Sequence, residues 1–459
     1  MTKFANCIFN NGKPKKSPAF VLDSFLVSWM IIYVEVNLNF TEIEKLVMLI
    51  LYVLLFSLIG IILGVIAGIL PGIHPNQFFV LVVSFIPFLS QFPTEAILAL
   101  VINIMVSNIL LNYIPAIFFS VPDPSTVINI LPGHRMVLEG KGMDALFISL
   151  AGAFLTLLAC IVTLPALLWF IPILNSFVYP YLHFLLFGLA LWMVIMEKTW
   201  RERLLSLFLY VTSGIWGILC LNSTIISSEW ALFPTLTGMF GIAGLLMSMQ
   251  EGVKFPKQIV SENVDTGNIA KIVVSGLIAG LLIGILPGAG ESQAGVLVSE
   301  FTGLGQNEFL GALSGINMGN AFFALVSLYS FGKVRSGAAA AIDAIIPKFG
   351  MNYLIFSVGV ILFSAGISVL LTWFIGKKSL KFLEGVNYKL ASQIILGFTV
   401  LMILWFTGIV GVFIMIISTC LGLLPVLWGI KRTSNMGFLM VSTTIYFAGL
   451  AWMINGVLF

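Results

Sequence analysis

Runs of about 20 or more apolar residues recur along the whole chain, each long enough for a helix to cross a hydrocarbon core of ~30 Å. With 59% hydrophobic and only 9% charged residues among 459, too little charge is available to cover a soluble surface of this size. The short alternating segments of a membrane β-barrel are absent. The sequence therefore predicts an all-α polytopic protein of the cell membrane, multi-pass, with about 12 transmembrane segments. In the first half the apolar spans fall at 46–70, 76–90, 94–119, 143–170, 173–196, 203–222 and 230–249. In the second they fall at 270–287, 292–304, 308–331, 352–376, 390–407, 408–428 and 436–458. The spans 76–90 and 292–304 are too short to cross comfortably and read as half-helices or re-entrant pieces.

Several function classes find no support. Cys7, Cys160, Cys220 and Cys420 form no CxxC pair, and the last three lie in apolar runs as packing residues. His74, His134 and His183 are scattered and no HExxH occurs, so neither a metal nor a cofactor is expected. The net charge of +3 is spread over loops, which gives no surface for nucleic acid. Residues 1–45 contain a basic start and an apolar stretch, "KPKKSPAFVLDSFLVSWMIIYVEV". They read as an extension, either an extra helix or an overlong start.

Two stretches carry the strongest signal. "GILPGIHPNQ" occupies Gly68 to Gln77 and "GILPGAGESQ" occupies Gly284 to Gln293. Aligned at a fixed offset of 216, Gly60–Ser84 and Gly276–Glu300 share 12 identities in 25 positions, including four glycines, a proline and a glutamine. Hydrophobic composition alone would match Ile, Leu and Val but not these. The chain thus divides into 46–250 and 270–459 as two membrane repeats, joined by a loop at 251–269. Lys and Arg in the loops favour an inverted relation between the copies, provided that 292–304 completes a crossing.

Each stretch begins with small residues at i, i+4 and i+8: Gly60, Gly64 and Gly68, then Gly276, Gly280 and Gly284. In lipid such ladders permit close helix contact. Each ladder then meets Pro-Gly. Proline removes a donor and disfavours helix before it, while Gly72 and Gly288 allow positive φ. An unwound turn at membrane depth is tolerated only against protein or a watered cavity. Helix ends around such a turn offer carbonyls to a cation and amides to an anion, the pattern of a midplane solute site. The bland reading is two kinked helices whose polar residues satisfy each other.

The candidate ligands follow. After the first break come His74, Asn76 and Gln77; after the second come Glu291, Ser292 and Gln293. Glu291 is the sharpest, because an ionisable group in an apolar region faces a cavity or a partner. It suits the binding of Na⁺, the loading of a proton, or a structural pair with a Lys. His74 suits titration near neutral pH or donation to an anion, and equally a packing role. Downstream, "INIMVSN" carries Asn103 and Asn108, and "INMGN" carries Asn317 and Asn320. These read as ligands of a cation or carboxylate, or as interhelical glue. Arg335, followed by Ser-Gly, is placed to grip an oxyanion. The asymmetry between "IHPNQ" and "AGESQ" assigns the cation to the second loop and more of the substrate to the first.

Four segments together resemble one family. "LPGIHPN" (70–76), "PDPSTVINILPGHRMVLEGKGMDA" (122–145), "GILPGAGESQA" (284–294) and "NAFFALVSLYSFGKVRSGAAAAI" (320–342) are similar to the large membrane subunit of tripartite tricarboxylate transporters, in particular an archaeal-type branch of these TctA-type permeases. That resemblance implies a secondary transporter moving a carboxylate-type anion with a cation gradient, Na⁺ or H⁺. In the bacterial systems it also implies a small membrane subunit and an extracellular solute receptor as partners, which archaeal-type members often do without; membrane lipids and a second copy of the chain are further expected partners. The first loop departs from the bacterial pattern, with "PGIHPN" where relatives tend toward "PGLGP", so a different solute is expected. Competing readings are a flippase or carrier for an anionic lipid-linked substrate, a channel, and an intramembrane enzyme. The last lacks GxGD, HExxH and any base near the serine of "GALSG" (311–315).

Overall fold

The computed structural model describes residues 40–70, 75–119, 130–222, 226, 228–248, 256–259, 261, 263–285, 291, 294–295, 298, 302–383 and 388–450. All described secondary structure is helical. The chain divides into two units, Met1–Tyr52 and Val53–Phe459. The first contributes only opening turns of a helix to the described residues, and the packing of the fold lies within the second.

Eight helices among the described residues are long and apolar enough to cross a membrane, and 183–195 and 269–284 are apolar but shorter. The helices pack in two sets. The first holds α1 (Phe40–Ile69), α2 (Pro75–Ser84), α3 (Thr94–Leu111), α4 (Tyr113–Phe119), α5 (Ile130–Leu138) and α6 (Gly142–Val178). The second opens with α7 (Leu182–Ile195), α8 (Trp200–Leu221), α9 (Ser228–Leu236) and α10 (Ala243–Ser248), the last two joined by a π-helical turn. The chain then returns to the first set with α11 (Ile269–Ile285), α12 (Gln306–Phe331), α13 (Gly337–Ile345) and α14 (Met351–Leu383). It finishes in the second with α15 (Tyr388–Trp428) and α16 (Gly437–Phe447).

Each half of the chain covers a helix of the other. In the first set α6 lies on α11 and α12, where Gly152 meets Gly311 and Thr156 meets both Gly276 and Gly315. Reciprocally, α14 lies on α3, joined by a 2.8 Å hydrogen bond between the Ser107 and Ser368 hydroxyls, and α13 lies on α2. The second set repeats the exchange: α8 packs on α16 and α15 on the α9–α10 run. Direct contact also joins α6 and α14. Gly142 meets Leu380, Leu146 meets Gly376, and the rings of Phe147 and Trp373 lie 6.2 Å apart. One series rises as the other falls, so these two helices run antiparallel.

One boundary differs from expectation. The split between 170 and 173 is not a break: α6 continues through Pro165 and Pro172 to Val178, since neighbouring groups in a membrane protein can satisfy the carbonyl that a proline leaves. The expected division between spans 390–407 and 408–428 falls at Gly408, whose non-helical backbone (φ +65°) kinks α15 into two helices. Cys160 and Cys220 are buried as packing residues, whereas Cys420 is exposed. Between the sets, residues 256–261 are fastened to the α5–α6 turn. Ile259 N–H donates to the Gly140 carbonyl (2.8 Å), Gln258 accepts from Gly142 N–H (3.0 Å), and the Ser261 hydroxyl donates to Asp144 (2.6 Å).

Candidate solute and cation site

Both glycine ladders perform the same packing. A Cβ on Gly60, Gly64 or Gly68 would fall within 2.8 Å of Leu100, Asn103, Ser107 or Leu111 of α3. A Cβ on Gly280 or Gly284 would meet Gly319 or Phe323 of α12 at 2.8 and 2.5 Å. Contact numbers rise together in each pair, so α1 runs parallel to α3 and α11 parallel to α12. Parallel neighbours oblige the intervening chain to travel back along them. In the second hairpin the described residues follow this return: Glu291 reaches Asn320, and Gly295 reaches Leu313 and Ile316.

The described end of α11 lies well inside the bundle. Gly284 touches Asn320 and Phe323, and Phe323 lies eight residues before the end of α12, roughly 12 Å at 1.5 Å per residue. Helices α3–α4 and α12 are the most enclosed of the spans, with 100% and 89% of their most apolar windows buried against 17% for α15. Polar groups on them are thus screened from lipid by protein.

At this depth the Asn320 amide donates to Glu291 Oε1 at 2.5 Å. The Tyr113 hydroxyl, from α4 of the first half, donates to the Ser314 carbonyl of α12 at 3.2 Å. Glu291 lies close enough to act on that phenol electrostatically, and the Asn317 side chain lies beside it. Asn317 is buried, and its Nδ2 lies outside hydrogen-bonding geometry with any described group. Glu291, Asn320, Asn317 and Tyr113 therefore form one polar island where helices of both halves meet.

The remaining sequence candidates distribute differently. Asn103 donates to the Ala99 carbonyl of its own helix at 2.8 Å and packs against Gly60 and Gly64. Its Oδ1 is buried without a hydrogen-bond partner among the described residues. Asn108 is buried with its carbonyl against Gly68, as the Asn320 carbonyl lies against Gly284. The register that pairs Gly68 with Gly284 thus pairs Asn108 with Asn320, while Asn103 matches Gly315 rather than Asn317. Arg335 sits between α12 and α13, just before the Ser336 cap of α13. Gly72, His74, Gly288, Ser292 and Gln293 lie outside the described residues, as do the side chains of Asn76 and Gln77.

Tyr113 is the site residue that motif reading misses. Its signal is present: "NY" at 112–113 interrupts an apolar run. His134, by contrast, is a buried packing residue whose Nδ1 lies 2.9 Å from the Ile117 carbonyl. Burial holds its imidazole down to about 4 against an ordinary 6.5, with the Ile117 carbonyl opposing.

A family model, the tripartite tricarboxylate transporter TctA family, matches residues 54–437. The chain belongs to the TctA family. TctA proteins are membrane transport subunits, the large components of tripartite systems that also use a small subunit and a solute receptor. An uncharacterized protein of Methanocaldococcus jannaschii is 27% identical over 385 residues, covering 82% of this TctA chain and 94% of its relative. No solved structure matches it. The match extends from the first ladder to the start of α16, so both hairpins and the polar island fall within the TctA region.

Proposed function

We propose that the protein is a secondary transporter that moves a carboxylate-type anion, of the tricarboxylate class its family name indicates, with a coupling cation, Na⁺ or H⁺. The observation that carries this reading is the Glu291–Asn320 hydrogen bond, made at bundle depth beside the buried Asn317 amide. A carboxylate away from water is costly unless a cation, a proton or hydrogen bonds offset it. An ionised Glu291 also repels an incoming anion. Cation or proton binding at Glu291 removes that repulsion, so the anion loads with its coupling ion. Asn317 Nδ2 is the donor on hand for a substrate carboxylate, and the Tyr113 hydroxyl, donating to the Ser314 carbonyl, positions α12 beside it.

We further read the halves as inverted copies whose Pro-Gly turns face one another at the site. The antiparallel course of α6 and α14, which hold corresponding places in the two halves, supports inversion. The parallel packing of α11 on α12 supports a return of the chain over 286–305, which makes the second turn re-entrant. A small membrane subunit and an extracellular receptor would deliver the solute.

Reconstituted protein should take up the anion only with an imposed cation gradient. Glu291→Gln should reduce that uptake to background while the protein inserts and folds as before. Gradient-driven uptake at the wild-type rate in this variant would remove Glu291 from the coupling site.

A further inference from the structure

At one end of the second helix set, two turns distant in sequence are joined. Lys431 N–H donates to Glu197 Oε1 at 2.8 Å, Arg203 Nε donates to the Glu197 carbonyl at 3.0 Å, and the hydroxyls of Ser206 and Ser434 lie 2.7 Å apart. Lys198, Arg201, Arg203, Lys431 and Arg432 are thereby gathered on two adjoining turns, with Glu197 and Glu202 as the acids among them. Both carboxylates face backbone amides. Glu197 accepts from Lys431 N–H, and Glu202 accepts from the N–H groups of Lys198 and Thr199 at 3.1 Å each, closing a capping box at the start of α8. Among the described residues of these two turns, five cations stand against two acids.

The same helix carries an apolar stripe that begins at the cationic turn. Trp200, Leu204, Phe208, Val211, Ile215 and Leu219 are all exposed, spaced three or four residues apart on one face of α8. The ring of Trp428 lies 6.2 Å from that of Phe208, beside the stripe.

We propose that this surface is a binding site for an anionic phospholipid, with the headgroup phosphate over the Lys198–Arg203 and Lys431–Arg432 turns and the acyl chains along the α8 stripe. Guanidinium and ammonium donors make charge-assisted hydrogen bonds to phosphate, and a Trp at the level of the headgroups is the ordinary interfacial anchor. An acidic protein would satisfy the cations but leave the stripe uncovered. The continuity of charge and apolar face selects a lipid.

The test uses detergent-solubilised full-length protein titrated with phosphatidylglycerol or phosphatidylcholine, read by native mass spectrometry and by thermal unfolding. Phosphatidylglycerol should bind preferentially and raise the unfolding temperature. The triple variant K198Q/R201Q/K431Q should lose at least tenfold of that affinity, since each basic group near a lipid surface contributes about 1 kcal/mol, or roughly fivefold. A second triple variant, K377Q/K378Q/K381Q at the end of α14, should retain it and controls for general charge loss. Unfolding of each variant in phosphatidylcholine alone reports whether it folds. Equal affinity for the two lipids, or a K198Q/R201Q/K431Q protein that keeps the phosphatidylglycerol preference, overturns the proposal and leaves the patch to an acidic protein surface.

Discussion

The two glycine-ladder hairpins share one way of packing and differ in chemistry. In each, a small-residue face lets two parallel helices approach until backbone meets backbone, and in each an asparagine carbonyl rests on the third glycine. Asn108 and Asn320 are in this sense the same residue seen twice. What differs is the chain returning past them. The second hairpin brings Glu291 onto Asn320, whereas the fixed alignment puts Pro75, the first residue of α2, at the matching place in the first. The helix packing is alike in both hairpins, whereas residues 71–84, after the first ladder, carry no carboxylate to match Glu291.

That comparison can be broken from either side. The largest effect falls on the acid: Glu291→Gln should eliminate gradient-driven uptake, while Asn108→Ala on the other hairpin should leave measurable uptake with a raised KM. Equal losses from the two changes would show that the hairpins share the coupling ion. Next comes the shared scaffold. Gly64→Val and Gly280→Val should each destabilise the protein by about 1–3 kcal/mol through overpacking, in similar measure, as read by thermal unfolding in detergent. Gly188→Ala, where a Cβ meets nothing within 4 Å, should be close to neutral. A large difference between the two ladder variants would end the equivalence.

A second difference lies just beyond the hairpins. Helix α5 carries the buried His134, with a pKa near 4 rather than the ordinary 6.5; nine-residue α13, which follows α12 as α5 follows α4, carries no histidine. Between those two values the unfolded chain binds more protons than the folded one. The stability that His134 allows is therefore complete above about pH 6.5 and declines as pH falls toward 4, by up to roughly 3 kcal/mol. Replacing His134 with Gln should flatten the unfolding temperature across that window. The smallest effect belongs to Tyr113→Phe, which removes one hydrogen bond to Ser314. It should weaken anion binding about fivefold, near 1 kcal/mol, with folding intact.

Much of this architecture is legible in the sequence, because apolar length and glycine spacing are local properties. The spans of α1, α3, α8 and α12 follow from them closely. Proline positions mislead at Pro172: α6 runs on through it to Val178, where a proline more often ends or kinks a helix. The direction in which α11 and α12 pack depends on where residues 286–305 travel, and no local pattern records that. Asn103 looked like a ligand by residue type, yet its amide returns to its own helix at Ala99. Tyr113 enters the site only because α4 crosses α12, two segments some two hundred positions apart.

The exchange of helices between halves carries a consequence for biosynthesis. Helix α3 is apolar enough to enter the bilayer early, but Ser107 on its surface finds its partner, Ser368, only when α14 emerges near the end of translation. A nascent chain halted at residue 250 would hold that serine toward lipid, without the helix made to cover it. The first half therefore reaches its final packing only once the second has entered the membrane.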